Sequence, residues 1–169
     1  MKRWEVLTEL LTSRCHKLGV EIGVNQGRNI IYIAQRLPKL ERIIGVDPYK
    51  APTGEPGNQK SYQTVLRELI KHPQIRLSII KLSSIRAATL FANEIFDFIF
   101  IDGDHTYKAV KADILAWLPK VKTRGLLIGH DYNRHEKERG WRVRQAVHEV
   151  LDSNYNIQLE DDFVWWIEK

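Results

Sequence analysis

Apolar and polar residues are arranged along the chain in alternating blocks of strand and helix type. Short apolar runs bounded by turn residues are typical of buried strands, whereas apolar residues that recur every three or four positions indicate helices. The runs predict strands at 17–24, 42–49 and 75–82, a fourth that begins at Phe96, and a fifth at 124–132. Helices are predicted at 28–37, 60–72, 85–94, 107–121 and 142–152, and two shorter strands, 155–161 and 163–169, close the chain.

Strands that alternate with helices indicate a parallel sheet with helices on both faces. Ligands of such sheets bind beyond the carboxyl ends of the strands. The candidates for a ligand site are therefore the polar residues and glycines at those ends. They are Glu21, Gly23, Asn25 and Gly27 after the first strand, Asp47 after the second, Ser83 and Ser84 after the third, Asp102, Asp104 and His105 after the fourth, and His130 and Asp131 after the fifth.

Composition and charge exclude several classes of protein. The chain has 169 residues, 43% of them hydrophobic, which is typical of one folded domain and not of a disordered protein. Its net charge of +5 is spread along the chain, so it permits a nucleic-acid partner without arguing for one. A single cysteine, no stretch of the ~20 apolar residues of a membrane span, and an N-terminus without a signal-peptide core predict a cytoplasmic protein away from membranes.

The segment that follows the first predicted strand is a glycine-containing turn. Gly23 and Gly27 lie between a strand and a helix, where glycine allows a tight turn and close approach to a ligand. The dinucleotide fingerprint requires glycine at the third and sixth places, and Asn25 and Arg28 stand there, which argues against NAD. The carboxylate of Glu21 suits a cation or a hydrogen-bond donor better than a pyrophosphate.

The pattern Glu-x-Gly-x-x-x-Gly, followed by an acid at the end of the second strand, resembles the class I S-adenosylmethionine-dependent methyltransferases. The resemblance implies an α/β, Rossmann-like, doubly wound fold with a mostly parallel seven-stranded sheet, helices on both faces, and last strands that are antiparallel. It implies that residues 1–169 form a single methyltransferase domain. It also implies S-adenosylmethionine as the cofactor, held by Glu21, Gly23, Asn25, Gly27, Asp47, Ser83, Ser84 and Asp102.

The segment Asp-Gly-x-His-x-Tyr, which begins at Asp102, resembles a narrower group that includes macrolide sugar O-methyltransferases and cephalosporin-hydroxylase-like proteins. Many of these relatives depend on a divalent metal. The resemblance implies that Asp102 and Asp131 bind such an ion, Mg or Mn, and that His105 is the general base. His130 stands where these relatives tend to have a carboxylate, so it is either a third ligand or no ligand.

Several neighbouring residues have structural interpretations. Asp104 is expected to be the N-cap of the helix that follows it, because Asp is a favoured N-cap residue. Residues 133–143 form either a lid, from which Trp141 would contact an acceptor, or a solvated loop. Packing roles are expected for Tyr107, Trp165 and Trp166.

The sequence therefore predicts a metal-assisted O-methyltransferase of a small hydroxylated acceptor, in which a second subunit of a homodimer would be one way to complete a short chain's acceptor site. Two alternatives remain open at this point. One is a metal-independent methyltransferase that acts on nitrogen or on nucleic acid, although nucleic acid is the less favoured partner. The other is a module that binds the cofactor without catalysing a reaction.

Overall fold

Seven strands form one twisted sheet in the computed structural model, which describes residues 1–14, 16–50, 59–74, 76–134 and 139–169. The strands are β1 (Leu18–Ile22), β2 (Arg42–Val46), β3 (Leu77–Ile80), β4 (Phe96–Ile101), β5 (Val121–Gly129), β6 (Gln158–Glu160) and β7 (Val164–Glu168). The helices of these ranges are α1 (Arg3–Thr12), α2 (Arg28–Arg36), α3 (Gln59–Lys71), α4 (Ser84–Ala88), α5 (Tyr107–Trp117) and α6 (Val143–Leu151), with a 3₁₀ turn at Leu118–Lys120.

The strand order is β3-β2-β1-β4-β5-β7-β6. Strands β1 to β5 are parallel, and β7 pairs antiparallel with both β5 and β6. The order reverses between β1 and β4, which is the switch point where open α/β sheets bind ligands. The predicted fold class is confirmed.

Helices cover both faces of the sheet because the strands alternate their side chains between two cores. In β4, Ile99 and Ile101 pack with α4, α5 and α6, whereas Phe98 and Phe100 pack with α1, α2 and α3. All four side chains are buried. A strand that is apolar on both faces is the expected centre of a parallel sheet.

Helix α1 was not predicted from the sequence. Its apolar residues Val6, Leu7, Leu10 and Leu11 follow helical spacing and pack on the α2 side of the sheet. The helical spacing is visible in the sequence, but this segment was considered only as a possible signal peptide, whose apolar core it lacks. This omission matters because Arg3, the first residue of α1, reaches the functional site.

Three predicted boundaries differ from the structure. Helix α4 ends at Ala88 instead of residue 94, since Leu90 and Phe91 bond only three residues back and Glu94 adopts a φ of 55°. Helix α5 ends at Trp117 because Pro119 follows, and β5 occupies 121–129 instead of 124–132.

The apolar residues of α3 are only partly buried. Val65 is fully buried, whereas Leu66 and Ile70 are exposed. Residues 51–58 lie outside the described part of the chain, and Gln59 begins α3. No helix within the described ranges is long and apolar enough to cross a membrane.

Gly19 in β1 provides a test of the close packing between β1 and β4. A Cβ atom at Gly19 would lie 2.0 Å from the Phe98 ring, which is itself buried and unable to move aside. We expect Gly19→Ala to lower the free energy of unfolding by about 2 kcal/mol or more, because overpacking strains a filled core. Urea denaturation followed by circular dichroism measures the change.

Gly103→Ala is the matched control for this substitution. The nearest atoms to a Cβ at Gly103 lie at ordinary contact distances of 3.6 and 3.8 Å, so a much smaller change is expected. Equal stability changes for the two variants would contradict the packing between Gly19 and Phe98.

Candidate active site

A cavity of about 880 Å³ opens at the carboxyl ends of β1, β2, β4 and β5. It brings together nine of the eleven predicted site residues, namely Glu21, Gly23, Asn25, Asp47, Ser83, Ser84, Asp102, His105 and Asp131. Gly27 and His130 do not line the cavity. The cavity is also lined by residues that were not predicted, including Arg3 and Asp113.

The turn after β1 is left-handed at three positions. Gly23, Asn25 and Gly27 have φ angles of 88°, 49° and 76°. A Cβ at Gly23 would lie 2.2 Å from the carbonyl oxygen of Asp102, so only glycine allows the ends of β1 and β4 to approach this closely. Gly27 is the N-cap of α2, which leaves the first backbone N–H groups of that helix facing the cavity side of the turn.

Asp47 connects the ends of β2 and β1. Its Oδ2 accepts a hydrogen bond from the backbone N–H of Asn25 at 2.9 Å, and its Oδ1 accepts one from Tyr49 at 2.7 Å. Each carboxylate oxygen keeps a second lone pair. Asp47 therefore holds the turn in place and still has acceptor capacity that faces the cavity.

Glu21 is a buried carboxyl group with one oxygen unpaired. Oε1 accepts a hydrogen bond from Asn29 Nδ2 at 2.9 Å, whereas Oε2 is buried without a hydrogen-bond partner. Burial raises the pKa of Glu21 to about 8, against the opposing effect of the Asn29 hydrogen bond. An unpaired buried oxygen beside a ligand cavity suits a cationic or N–H donor group of the ligand.

Asp102, His105 and Asp131 form a compact cluster in the cavity wall. Nε2 of His105 lies 2.6 Å from Oδ2 of Asp131 and 3.7 Å from Oδ1 of Asp102. Burial lowers the pKa of His105, but hydrogen bonds and charges of the two carboxylates outweigh it and raise the pKa to about 9. In the absence of another cation, His105 is therefore protonated at neutral pH.

Asp131 has an unusual backbone conformation, with φ at 56°. Burial opposes its ionisation, but His105 and His130 outweigh that effect and hold its pKa well below the usual range. A non-glycine residue in this region of φ commonly marks a functional position. The turn aims the carboxylate of Asp131 at His105 directly after β5.

His130 and Arg3 lie behind and beside the cluster. Nδ1 of His130 is 3.1 Å from Asp131 Oδ2 and 3.5 Å from Asp102 Oδ1, and its side chain is fully buried. Arg3 places Nη2 3.3 Å from Asp102 Oδ2 and Nη1 3.5 Å from His130 Nδ1. Arg134 places Nη1 3.5 Å from Asp131 Oδ1, so four basic groups surround the two carboxylates.

Trp141 covers His105. The two rings are stacked, with centroids 4.0 Å apart and planes inclined by 11°. Stacking restricts rotation of the imidazole and gives this end of the cavity a flat aromatic wall. Of the segment proposed as a lid or solvated loop, residues 135–138 lie outside the described part of the chain.

The prediction for Asp104 was wrong. The N-cap of α5 is Thr106, whose hydroxyl oxygen accepts a hydrogen bond from the backbone N–H of Ala109 at 3.4 Å. Asp104 instead accepts a hydrogen bond from the backbone N–H of Thr106 at 2.9 Å, which supports the turn two residues earlier. Both residue types are good caps, and the turn at Gly103 decides which one reaches the helix end.

The donor atoms of the cluster suit a divalent cation. Asp102, His105 and Asp131 each offer one ligand atom, and these atoms all lie within 4.8 Å of one another. The second oxygen of Asp131, Oδ1, is buried without a hydrogen-bond partner, although Arg134 Nη1 lies 3.5 Å from it. The two carboxylates alone supply oxygen ligands of the kind that Mg²⁺ and Mn²⁺ bind, so His105 need not be a ligand.

Residues 20–132 match the protein family described as Methyltransferase domain. The chain belongs to this methyltransferase family. The match covers the turn after β1, Asp47, and the Asp102–His105–Asp131 cluster, and it confirms the resemblance to class I S-adenosylmethionine-dependent methyltransferases. No curated protein sequence matches the chain.

Solved methyltransferase structures share this fold. An O-methyltransferase from Bacillus cereus in complex with SAH superposes with a TM-score of 0.71 at 16% identity, covering 99% of this chain and 80% of that one. The SAH-bound methyltransferase PaMTH1 of Podospora anserina gives 0.72 at 15% identity, with coverages of 98% and 77%. CalS11, a TDP-rhamnose 3'-O-methyltransferase of calicheamicin biosynthesis, gives 0.67 at 17% identity, with coverages of 98% and 76%.

Arg3, Asn29 and Asp113 are the residues of this methyltransferase site that the sequence did not reveal. Arg3 belongs to a helix that was overlooked, and its position depends on packing across the sheet. Asn29 and Asp113 lie in predicted helices, but they are buried at 3% and 5% exposure. Both residues could have been noticed in the sequence, because each is polar at a helix position where the spacing predicts an apolar residue.

Replacing Glu21 tests whether burial raises the pKa of its carboxyl group. In the folded protein the pKa of Glu21 is raised from 4.5 to about 8. The protonated carboxyl group favours the folded state, so stability falls as the pH rises through this range and the proton is lost. The quantity of interest is the free energy of unfolding of Glu21→Gln minus that of the unsubstituted protein. We expect this difference to rise by about 2 kcal/mol or more when the pH is raised from 5 to 8.5. Urea titrations at both pH values measure the difference.

Glu9→Gln is the control, because it makes the same chemical change at an exposed residue of α1. A stability difference for Glu21→Gln that stays constant from pH 5 to pH 8.5 would show that the carboxyl group titrates normally.

Proposed function

We propose that the protein is an S-adenosylmethionine-dependent O-methyltransferase that acts on a small hydroxylated acceptor with the help of a divalent cation. The observation that carries the proposal is the shared cavity. It holds a left-handed glycine turn of the cofactor-binding type and, next to this turn in space, a cluster of two carboxylates and an imidazole. Methyl transfer needs both parts in one place.

The cofactor half of the cavity matches the groups of S-adenosylmethionine. The unpaired Oε2 of Glu21 suits the ammonium group of the methionine part, and the turn at Gly23 allows close approach of its backbone. Asp47 supplies acceptor oxygens for the ribose hydroxyls. Gly27 contributes indirectly, as the left-handed residue that begins α2.

His105 is proposed as the general base that takes the proton of the acceptor hydroxyl. Asp102 and Asp131 stabilise the imidazolium that forms, and stacked Trp141 holds the ring in place. A divalent cation held by Asp102 and Asp131 would offset the charges that keep His105 protonated and would lower the pKa of an acceptor hydroxyl. His130 contacts the same carboxylates from the buried side and would orient them.

Known relatives support the choice of oxygen as the methyl acceptor. The Bacillus cereus protein is described as an O-methyltransferase, and CalS11 methylates a hydroxyl of a sugar nucleotide according to its description. The flat wall formed by Trp141 and His105 offers a surface on which the ring of a small acceptor would lie.

One observation favours a second candidate, a methyltransferase that needs no metal. The guanidinium of Arg3 already lies 3.3 Å from Asp102, and His105 in its protonated form lies between both carboxylates. These basic groups neutralise the cluster from within the chain. In that case the acceptor would carry its own reactive lone pair, as an amine does.

Calorimetry with S-adenosylhomocysteine tests the cofactor assignment. We expect one site per chain with micromolar affinity, weakened about tenfold or more in Asp47→Ala, because the ribose loses its acceptors and the turn loses the bond to Asn25. Asp152→Ala, at an exposed residue beyond α6, should bind as the unsubstituted protein does. Absence of measurable binding to the folded protein would refute the proposed function.

Removal of the cation tests the cluster. Methyl transfer to a panel of hydroxylated sugars and phenols, followed by formation of S-adenosylhomocysteine, should be lost after EDTA and restored by Mn²⁺. His105→Gln should lower the rate by about 10²–10⁴-fold while cofactor affinity stays the same. Activity that persists in EDTA would select the metal-independent candidate, and full activity of His105→Gln would remove His105 as the base.

A further inference from the structure

The turn between β6 and β7 contains two consecutive residues in the left-handed backbone conformation. Asp162 and Phe163 have φ angles of 53° and 60°, and the backbone N–H of Val164 donates to the carbonyl of Asp161 across them at 3.3 Å. Hairpin turns with positive φ at both central residues favour Asp-Gly, so a phenylalanine stands where glycine is usual. A bulky side chain in this conformation is strained. The turn alone does not require it.

The carboxylate of Asp162 lies beside two of the basic groups that pair with the carboxylate cluster. Its Oδ2 accepts a hydrogen bond from the backbone N–H of Arg3 at 2.8 Å and lies 3.9 Å from Nε2 of His130, which is buried without a hydrogen-bond partner. The guanidinium of Arg3 lies 3.3 Å from Asp102, and Nδ1 of His130 lies 3.1 Å from Asp131. Asp162 is therefore one residue away from each carboxylate of the cluster.

Phe163 is connected to the cluster through a second set of residues. Its carbonyl oxygen accepts a hydrogen bond at 3.1 Å from the backbone N–H of Tyr132, which directly follows the left-handed Asp131. The guanidinium of Arg134 lies over the Phe163 ring, 5.6 Å from its centroid, and Nη1 of the same side chain is 3.5 Å from Asp131 Oδ1. The face of an aromatic ring attracts a cation. A glycine at position 163 would relieve the backbone but would remove this surface from Arg134.

We propose that the turn of Asp162 and Phe163 positions the carboxylate cluster, with Asp162 as a positioning residue. Asp162 holds Arg3 against Asp102. Phe163 holds the backbone and the arginine that follow β5. The strain in the turn is retained because the residues that cause it hold the partners of both carboxylates. The inference rests on the proposed function for the reaction that the cluster performs, whereas the coupling between turn and cluster is a property of the folded chain.

A double-mutant cycle followed by urea unfolding tests this coupling. Asp162 and Asp102 share Arg3 as a partner, so their substitutions should not act independently. The increase in the unfolding equilibrium constant caused by Asp162→Ala should be at least about threefold smaller in the Asp102→Asn background, where the anchored arginine has lost its charged partner. Equal increases in the two backgrounds would overturn the inference.

Asp161→Ala is the matched control for the cycle. Asp161 is the neighbouring acid of the same turn, and its carboxylate lies 3.3 Å from the N-terminal amine at the exposed surface. Its substitution should change the unfolding equilibrium constant by the same factor with and without Asp102→Asn. A coupling as large as that of Asp162 would show that any acid of the turn acts on the cluster, and it would overturn the specific assignment.

Methyl transfer to an acceptor from the panel of sugars and phenols separates positioning from folding. Asp162→Ala should lower kcat about tenfold or more and leave the affinity for S-adenosylhomocysteine unchanged. Asp162→Asn should restore most of the rate, because its amide oxygen accepts the hydrogen bond from Arg3. Phe163→Gly should also lower kcat, although glycine fits the backbone of the turn.

Two outcomes of the kinetic measurement would overturn the inference. One is a loss of rate in Asp162→Ala that Asp162→Asn does not restore, and the other is full activity of both Asp162→Ala and Phe163→Gly. Failure of the proposed function has a different signature. The unsubstituted protein would then bind no S-adenosylhomocysteine and transfer no methyl group, while the coupling measured by unfolding would persist and support the positioning of the cluster by the turn.

Discussion

The active site depends on the close approach of two strand ends. Gly23 after β1 and the carbonyl of Asp102 after β4 are so near that a single Cβ atom would separate them. This contact places the cofactor turn directly beside the carboxylate cluster. It occurs where the strand order reverses, and the turn is held on its other side by Asp47. The closeness of the glycine turn to the carboxylate cluster therefore follows from backbone packing.

Charge balance is the second constraint on the site. Two carboxylates, Asp102 and Asp131, are largely withdrawn from water, and buried charges are costly unless they are paired. The pairing comes from three different parts of the chain, through His105, His130 with Arg134, and Arg3. The cost of separating these groups explains why the cluster is compact, and it also means that an added cation must compete with protons and with the guanidinium of Arg3.

Much of this arrangement was predictable from the sequence because it is local. Short sequence patterns show where the strands end, where the glycine turn lies and where acids follow β2, β4 and β5. The parallel sheet then brings these residues to one edge. Arg3 and Asp113 were missed because their roles depend on contacts between distant segments and on burial, which periodicity reports only weakly. The cap of α5 was assigned to Asp104 instead of Thr106 because two good caps stand two residues apart, and local geometry chose between them.

The first helix is tied to the last hairpin. The backbone N–H of Arg3 donates to Asp162 Oδ2 at 2.8 Å, between β6 and β7, while its guanidinium reaches Asp102. Arg3 and Asp162 are 159 residues apart, so α1 is synthesised well before the hairpin that anchors it. The backbone anchor of Arg3 therefore forms only after β6 and β7 have been synthesised, and a chain without this hairpin loses one of the contacts that position Arg3 beside Asp102.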